Sequence, residues 1–349
     1  MIKEHNCGID LLRLLLMFMV CILHVLGQGG VLANSPIGSI KYSVFWFIEI
    51  FSYCAVDAFA LISGYIATNK PRKYEKLVNM WFQVFFYSFV ITIFFVLVNK
   101  AGNIGIRGII ENAFPITFEK YWYMTAYFLL FLAMPILNGF LFKLSKDTAK
   151  KVFIIFVVLF SFIGLIADAF KTSAGYSALW LIVLYSIGVL GNKIDLFSKK
   201  KTATLICLWA LLIICTWYSY VFLQIGIFLN YISPTIVFSG LIMVILFKRL
   251  KIRSSFIIKL ASLSLGVYLL QLNQVIWNNV IAGKFAFIAS ENIYLGVLYV
   301  SLIALVMLVA GLLVEFVRSK LAKLLKLDLL SKKIVNIINF ILKRLSYFL

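Results

Sequence analysis

The chain has 349 residues, of which 63% are apolar and only 13% are charged. That balance lies far outside the composition of soluble domains, and at roughly 20 residues per crossing it leaves room for membrane helices and excludes a sizeable water-soluble domain. Lys and Arg number 33 against 13 Asp and Glu, a net charge of +20, which points to nucleic acid or a membrane surface until the charges are placed. Ten apolar stretches follow in order, at 9–27, 43–67, 77–98, 121–141, 152–167, 178–190, 202–223, 231–247, 257–281 and 293–316. Each is predicted to be a helix, because an open strand cannot satisfy its backbone in lipid. The fifth and sixth are short. With the N-terminus inside, 26 cationic residues fall on the inner side and six on the outer, and Arg13 alone stands within a span. This asymmetry predicts an all-α polytopic membrane protein with about ten transmembrane helices and both N- and C-termini cytoplasmic. It assigns the positive charge to the membrane, so no nucleic-acid partner is expected.

The first stretch contains Arg13 and His24 and is followed by no small-residue cleavage site, so a retained helix is predicted rather than a signal peptide. Of the cysteines, Cys21, Cys54, Cys207 and Cys215 fall in spans and Cys7 faces the inner side, which implies no disulfide framework. After the last span, residues 318–349 alternate Leu and Ile with Lys and Arg at helical spacing. They read either as an amphipathic interfacial helix on the inner leaflet, in contact with membrane lipids, or as an unstructured basic tail. The chain thus divides into a membrane-embedded domain, 1–317, and a basic cytoplasmic tail, 318–349.

Polar groups are expensive inside a bilayer, so those that occur there are the candidates for function. Arg13 and His24 are eleven residues apart, which places them about 20° apart around the helix and roughly 16 Å apart along it. They share one face, with Asp10 one turn before Arg13 as its partner. Arg13 alone could be a snorkelling residue at a span end, and His24 a hydrogen-bonded structural histidine; a buried neutral imidazole is equally a proton acceptor. On the second helix lie Glu49, Asp57, Ser63 and Tyr65. Asp57 either orients an imidazole, as a carboxylate does for a catalytic histidine, or pairs with a structural partner. Trp122, Tyr123, Tyr127, Pro135 and Asn138 mark the fourth helix, where the rings could equally be interfacial anchors. On the ninth, Tyr268, Gln271, Asn273, Gln274 and Asn278 suggest a lined cavity or hydrogen bonds between helices. With two histidines in all and no cluster at metal-ligand spacing, neither a metal nor a bound cofactor is expected. From these residues alone, a membrane enzyme and a transporter or flippase fit equally well.

The run Ile9-Asp10-Leu11-Leu12-Arg13, ten residues and then His24, followed by Val56-Asp57-Ala58-Phe59-Ala60-Leu61-Ile62-Ser63-Gly64-Tyr65, resembles the opening of the acyltransferase 3 family. Those proteins are integral-membrane enzymes that acylate sugars of bacterial surface polysaccharides, usually with acetyl. Trp122-Tyr123 and the run Leu265-Gly266-Val267-Tyr268-Leu269-Leu270 fit the same pattern. The resemblance implies a multi-pass O-acetyltransferase of the bacterial plasma membrane that takes acetyl-CoA as donor substrate and a polysaccharide or lipid-linked glycan as acceptor. It implies His24 as general base or transient acyl carrier, with Arg13 and Asp57 in the catalytic set. Arg13 would also hold the donor, and Lys70, Arg72, Lys73 and Lys76 would attract its phosphates. Asp10, Glu49, Ser63, Tyr65, Trp122, Tyr127, Tyr268, Gln271 and Asn273 would line the substrate cavity. Two departures stand out: Gln271 occupies the place where many relatives carry His, and Lys73 and Lys76 only loosely match an Arg-x-x-Arg pair. An esterase-like domain of the kind some relatives carry after the membrane part is not expected here.

Overall fold

The computed structural model describes residues 6–100 and 104–345, and among these residues there is no β-strand. Lys3, His5 and the last four residues of the tail lie outside the described residues. The helices are α1 (Cys7–Gln28), α2 (Ile40–Tyr65), α3 (Glu75–Leu97), a short α4 (Ile106–Ala113), α5 (Trp122–Leu141), α6 (Lys146–Ala167), α7 (Ala178–Lys193), α8 (Thr202–Val221) and α9 (Pro234–Lys248). A bent pair follows, α10 (Ser255–Gln271) and α11 (Gln274–Ala289), then α12 (Ile293–Leu324) and α13 (Leu327–Leu345). Among the described residues eight segments are long and apolar enough to cross a membrane, the seventh of them running Gly226–Lys248 by way of a short turn ahead of α9, and the bent pair makes a ninth if counted as one span. The remaining predicted stretch, the sixth, is α7, at 16 residues short of a full crossing.

Three elements differ from expectation for identifiable reasons. Ser145 caps α6 by accepting a hydrogen bond from the Thr148 amide at 3.1 Å, so the helix begins at Lys146, inside a charged stretch that hydropathy hides, and it is not short. The ninth stretch is not continuous: it bends by 62° between Gln271 and Gln274. Asn273 makes that break tolerable in an apolar interior. Its Oδ1 accepts from the amides of Val275 and Ile276 at 3.1 and 3.3 Å, and its Nδ2 donates to the Tyr87 carbonyl at 2.8 Å and to Thr92 Oγ1 at 3.1 Å. The division at 317 falls inside α12, a single helix that runs to Leu324. Arg318 donates twice to the buried Glu315, at 2.7 Å each, while Tyr87 Oη donates to the same carboxyl at 2.9 Å. The separate amphipathic helix is α13, held against α3 by Asn79 Nδ2 donating to Asp328 at 2.8 Å, and its face carrying Leu330, Ile337 and Ile341 is exposed.

The short α7 is wrapped by protein, with Trp180, Leu184, Tyr185, Ile187 and Leu190 fully buried. It crosses α2 at backbone contact. A Cβ on Gly64 would overlap the Tyr185 carbonyl oxygen, and one on Gly188 the Leu61 carbonyl oxygen. Small residues permit such an approach between apolar helices, where packing replaces the hydrophobic drive that lipid does not supply. Around this interior lies an exposed apolar surface that includes Phe94, Leu97, Ile136, Phe162, Leu211 and Val306.

The basic loops gather at one end of the bundle. Asn6 donates to the Lys248 carbonyl at 2.9 Å, Arg249 to that of Phe197 at 2.8 Å, Lys193 to that of Phe142 at 2.8 Å, and Lys146 to the Asp195 carboxyl at 2.7 Å. At the opposite end Lys41 donates to the carbonyls of Ala289 and Glu291 at 2.7 and 3.0 Å. Arg13 therefore lies toward the basic end of α1, and His24 toward the other.

Candidate active site in the bundle interior

The polar face of α1 is also the wall of a cavity. Asp10, Arg13, Met17, Val20, His24 and Gln28 recur every three or four residues and line a space of about 740 Å³. Glu49, Val56 and Ser63 of α2, Trp122, Tyr123 and Tyr127 of α5, and Leu265 and Tyr268 of α10 also line it. Beyond Trp122, Leu272 and Trp277 a second space of about 380 Å³ shares those three residues and reaches Glu119 and Lys120. Lys120 donates to Glu111 at 2.6 Å, and the hydrogen bonds from Lys120 and then Arg107 hold that carboxyl below its ordinary range. The two spaces lie in sequence from Arg13 near the basic end to Lys120 at the other.

His24 stands where α1 widens into a π turn, His24–Gln28, a local distortion that recurs at functional sites. Its Nδ1 lies 2.7 Å from Gln271 Oε1, and Gln271 Nε2 donates to Cys21 Sγ at 3.1 Å. An amide oxygen accepts and cannot donate, so this arrangement places the imidazole proton on Nδ1 and leaves Nε2 to accept one. Trp277 packs edge-on against the ring at 5.3 Å. Arg13 donates to Asp10 at 2.8 Å and keeps about a third of its side chain exposed at the cavity's other mouth. A cation and a proton acceptor thus face one space from one helix.

The remaining predicted residues divide. Asp10, Glu49, Ser63, Trp122, Tyr127 and Tyr268 line the cavity with Arg13 and His24. Asp57 does not serve His24: it is fully buried, and its Oδ1 accepts from Trp180 Nε1 of α7 at 3.1 Å. The structure thus favours the pairing reading for Asp57, and Gln271 takes the place beside the imidazole. Asn273 caps the break. Tyr65 is buried outside the cavity wall, with Lys248 Nζ 4.6 Å from its ring centroid. Of the basic loop, Lys70, Lys73 and Lys76 are exposed, whereas Arg72 turns inward to donate to Tyr185 Oη at 3.2 Å, and Tyr185 in turn donates to Asn138 at 2.7 Å. None of these four cations lines the cavity among the residues that bound it.

Sequence reasoning missed Trp180 and the tyrosines Tyr53, Tyr176 and Tyr231, all three of which line the cavity. Tyr53 follows Glu49 by one turn and was recoverable from that spacing. Tyr176, in the connection before α7, carries no periodic signal. All five cysteines are free, and no group of three or more His, Cys, Asp or Glu among the described residues could hold a metal ion.

A helical bundle with lipid-facing apolar walls, and an internal cavity that presents a cation, an oriented imidazole and a carboxyl, defines a polytopic membrane protein built for chemistry on a buried substrate. The acyltransferase domain matches residues 6–315, nearly the whole chain. The chain belongs to the acyltransferase 3 family and is a multi-pass membrane acyltransferase. No curated protein and no solved structure matches it.

Proposed function

We propose that the protein is an O-acetyltransferase of the bacterial plasma membrane that moves acetyl from cytoplasmic acetyl-CoA to a hydroxyl of a cell-surface or lipid-linked glycan. The observation that carries this reading is His24, in the cavity wall with Nδ1 fixed by Gln271. The clustering of Lys and Arg at one end supports a cytoplasmic placement of that end. The pantetheine arm of the donor then approaches past Arg13, and Lys70, Lys73 and Lys76 raise its local concentration through its phosphates. The acceptor comes from the other side, past Lys120 and Trp277. His24 Nε2 takes the hydroxyl proton as the oxygen attacks the thioester carbonyl. The C–O bond forms, the C–S bond breaks, and the CoA thiolate leaves toward Arg13. General-base help of this kind supplies about 10² to 10⁴-fold.

The test is NMR of the surface glycan for O-acetyl signals in cells with the wild-type protein, with His24→Ala at matched protein level, and without the protein. The reading expects the signals in the first case alone. Glycan moved across the membrane with no new ester in any of the three would identify a transporter instead.

A further inference from the structure

The part of the cavity beyond His24 contains a group that neither the proton transfer nor donor binding uses. Glu49 is buried, lines the cavity, and has an Oε2 with no hydrogen-bond partner. A buried polar atom without a partner is costly, so its persistence in a cavity wall marks a place for a ligand group. Glu49 is close to the catalytic turn: a Cβ on Gly27 would lie 3.4 Å from Glu49 Oε1. Gly27 follows His24 by three residues in the same π turn, so the carboxyl lies against the turn that carries the imidazole.

Around that carboxyl the aromatic rings form a wall. Tyr53 follows Glu49 by four residues on α2 and stacks on Tyr231, with centroids 5.0 Å apart and planes at 28°. Tyr231 meets Tyr176 at 5.1 Å, and Tyr176 meets Trp122 at 4.8 Å. Only the first pair is stacked; Tyr231 meets Tyr176 edge to face and Trp122 is tilted against Tyr176, so the wall offers the ligand ring faces, ring edges and tyrosine hydroxyls together. Aromatic surface beside an unpartnered carboxyl suits a ligand that combines apolar C–H faces with polar edges. A pyranose ring is such a ligand.

We propose that Glu49, with Tyr53, Tyr231, Tyr176 and Trp122, forms the acceptor subsite. It binds one sugar ring on the aromatic wall and takes a hydrogen bond from a ring hydroxyl neighbouring the one that His24 deprotonates. This rests on the reading of the protein as a glycan acyltransferase and adds which hydroxyl reacts. The hydroxyl held by Glu49 orients the ring, and the hydroxyl one position around it is delivered to His24 Nε2. Ring positions unable to satisfy both contacts are excluded, because the buried carboxyl would then be left unpaired, the condition under which hydroxyl-reading sites discriminate most strongly.

The full-length protein in detergent is titrated with methyl β-glycosides of glucose, galactose and N-acetylglucosamine, with cyclohexylmethanol and tetramethylammonium as controls. The readout is the fluorescence change that is lost in Trp122→Phe. At least one glycoside is expected to saturate, with affinity falling roughly tenfold in Glu49→Gln and binding lost in Glu49→Leu. Tyr53→Leu, which removes a ring and leaves the carboxyl, is expected to weaken the same glycoside severalfold. Each variant is first matched to wild type in size-exclusion profile and in its response to acetyl-CoA. The subsite is overturned if no glycoside saturates, if binding survives both leucine variants, or if tetramethylammonium binds in a Glu49-dependent manner more tightly than every sugar. The two readings fail separately. Sugar bound by wild type with no acetyl transferred in cells rejects the enzymatic reading and leaves the subsite; normal acetylation with an unchanged acceptor KM in Glu49→Leu rejects the subsite and leaves the enzyme.

Discussion

One amide sets the tautomer of His24. Because Gln271 Oε1 can only accept, it selects the tautomer with a free Nε2, a task that carboxylates perform in better-known sites. Gln271→Leu is therefore expected to lower kcat for acyl transfer about a hundredfold, while the KM for acetyl-CoA stays near wild type. Gln271→Glu, which still accepts from Nδ1, should retain most of the rate. Equal losses in both variants, or a loss confined to KM, would show that Gln271 acts through packing. Asp57→Asn is expected to leave transfer within a few-fold of wild type, since an amide oxygen still accepts from Trp180 Nε1; steady-state kinetics at matched expression checks this. At this scale the α1 stripe was legible, because Arg13 and His24 fall on one face by arithmetic on helical pitch. Gln271 was legible only as a departure from its relatives. Its pairing with His24 is a contact across 247 positions of chain, which no local spacing encodes, and the same holds for Asp57 with Trp180 of α7.

Helices in this molecule were legible wherever lipid imposes apolar length, and less so where protein replaces lipid. The sixth stretch was short because α7 is enclosed by other helices and does not have to match the bilayer. The break after Gln271 was hidden because its cap is one Asn in an apolar run, indistinguishable by composition from an amide lining a cavity. Within Ser63-Gly64-Tyr65, part of the run that carried the family resemblance, Gly64 has a packing role: it lets α2 and α7 meet backbone to backbone. Gly188→Ala places a methyl group against the Leu61 carbonyl, which neither helix can yield without losing that contact. The expected cost is about 1–3 kcal/mol, read as a lowered Tm and reduced yield of monodisperse protein. Gly139→Ala, where a Cβ meets nothing within 4 Å, serves as the tolerated control. An unchanged Tm in Gly188→Ala would show that the two helices separate at little cost.

For the whole molecule, the two ends differ in charge and in what the cavities near them present. The end with Arg13, Lys193, Lys248 and Arg249 suits a polyanionic donor, while the other end opens past Lys120 and Trp277 through the smaller space. The excess of Lys and Arg near the span ends predicts that the basic end faces the cytoplasm, since such segments resist translocation. Ser145 and Ser198 lie in exposed connections at the basic end, and Ser290 in an exposed connection at the other. Cysteines introduced singly at these positions are expected to separate cleanly in intact cells treated with a membrane-impermeant maleimide. Ser290→Cys should label, while Ser145→Cys and Ser198→Cys should label only after the cells are opened. The native background is suited to this, because Cys7, Cys21 and Cys54 are buried and Cys207 and Cys215 sit in the apolar span α8, away from a water-soluble reagent. Labelling of Ser145→Cys or Ser198→Cys in intact cells would invert the orientation, put Arg13 on the face opposite the CoA pool, and overturn the donor route proposed above.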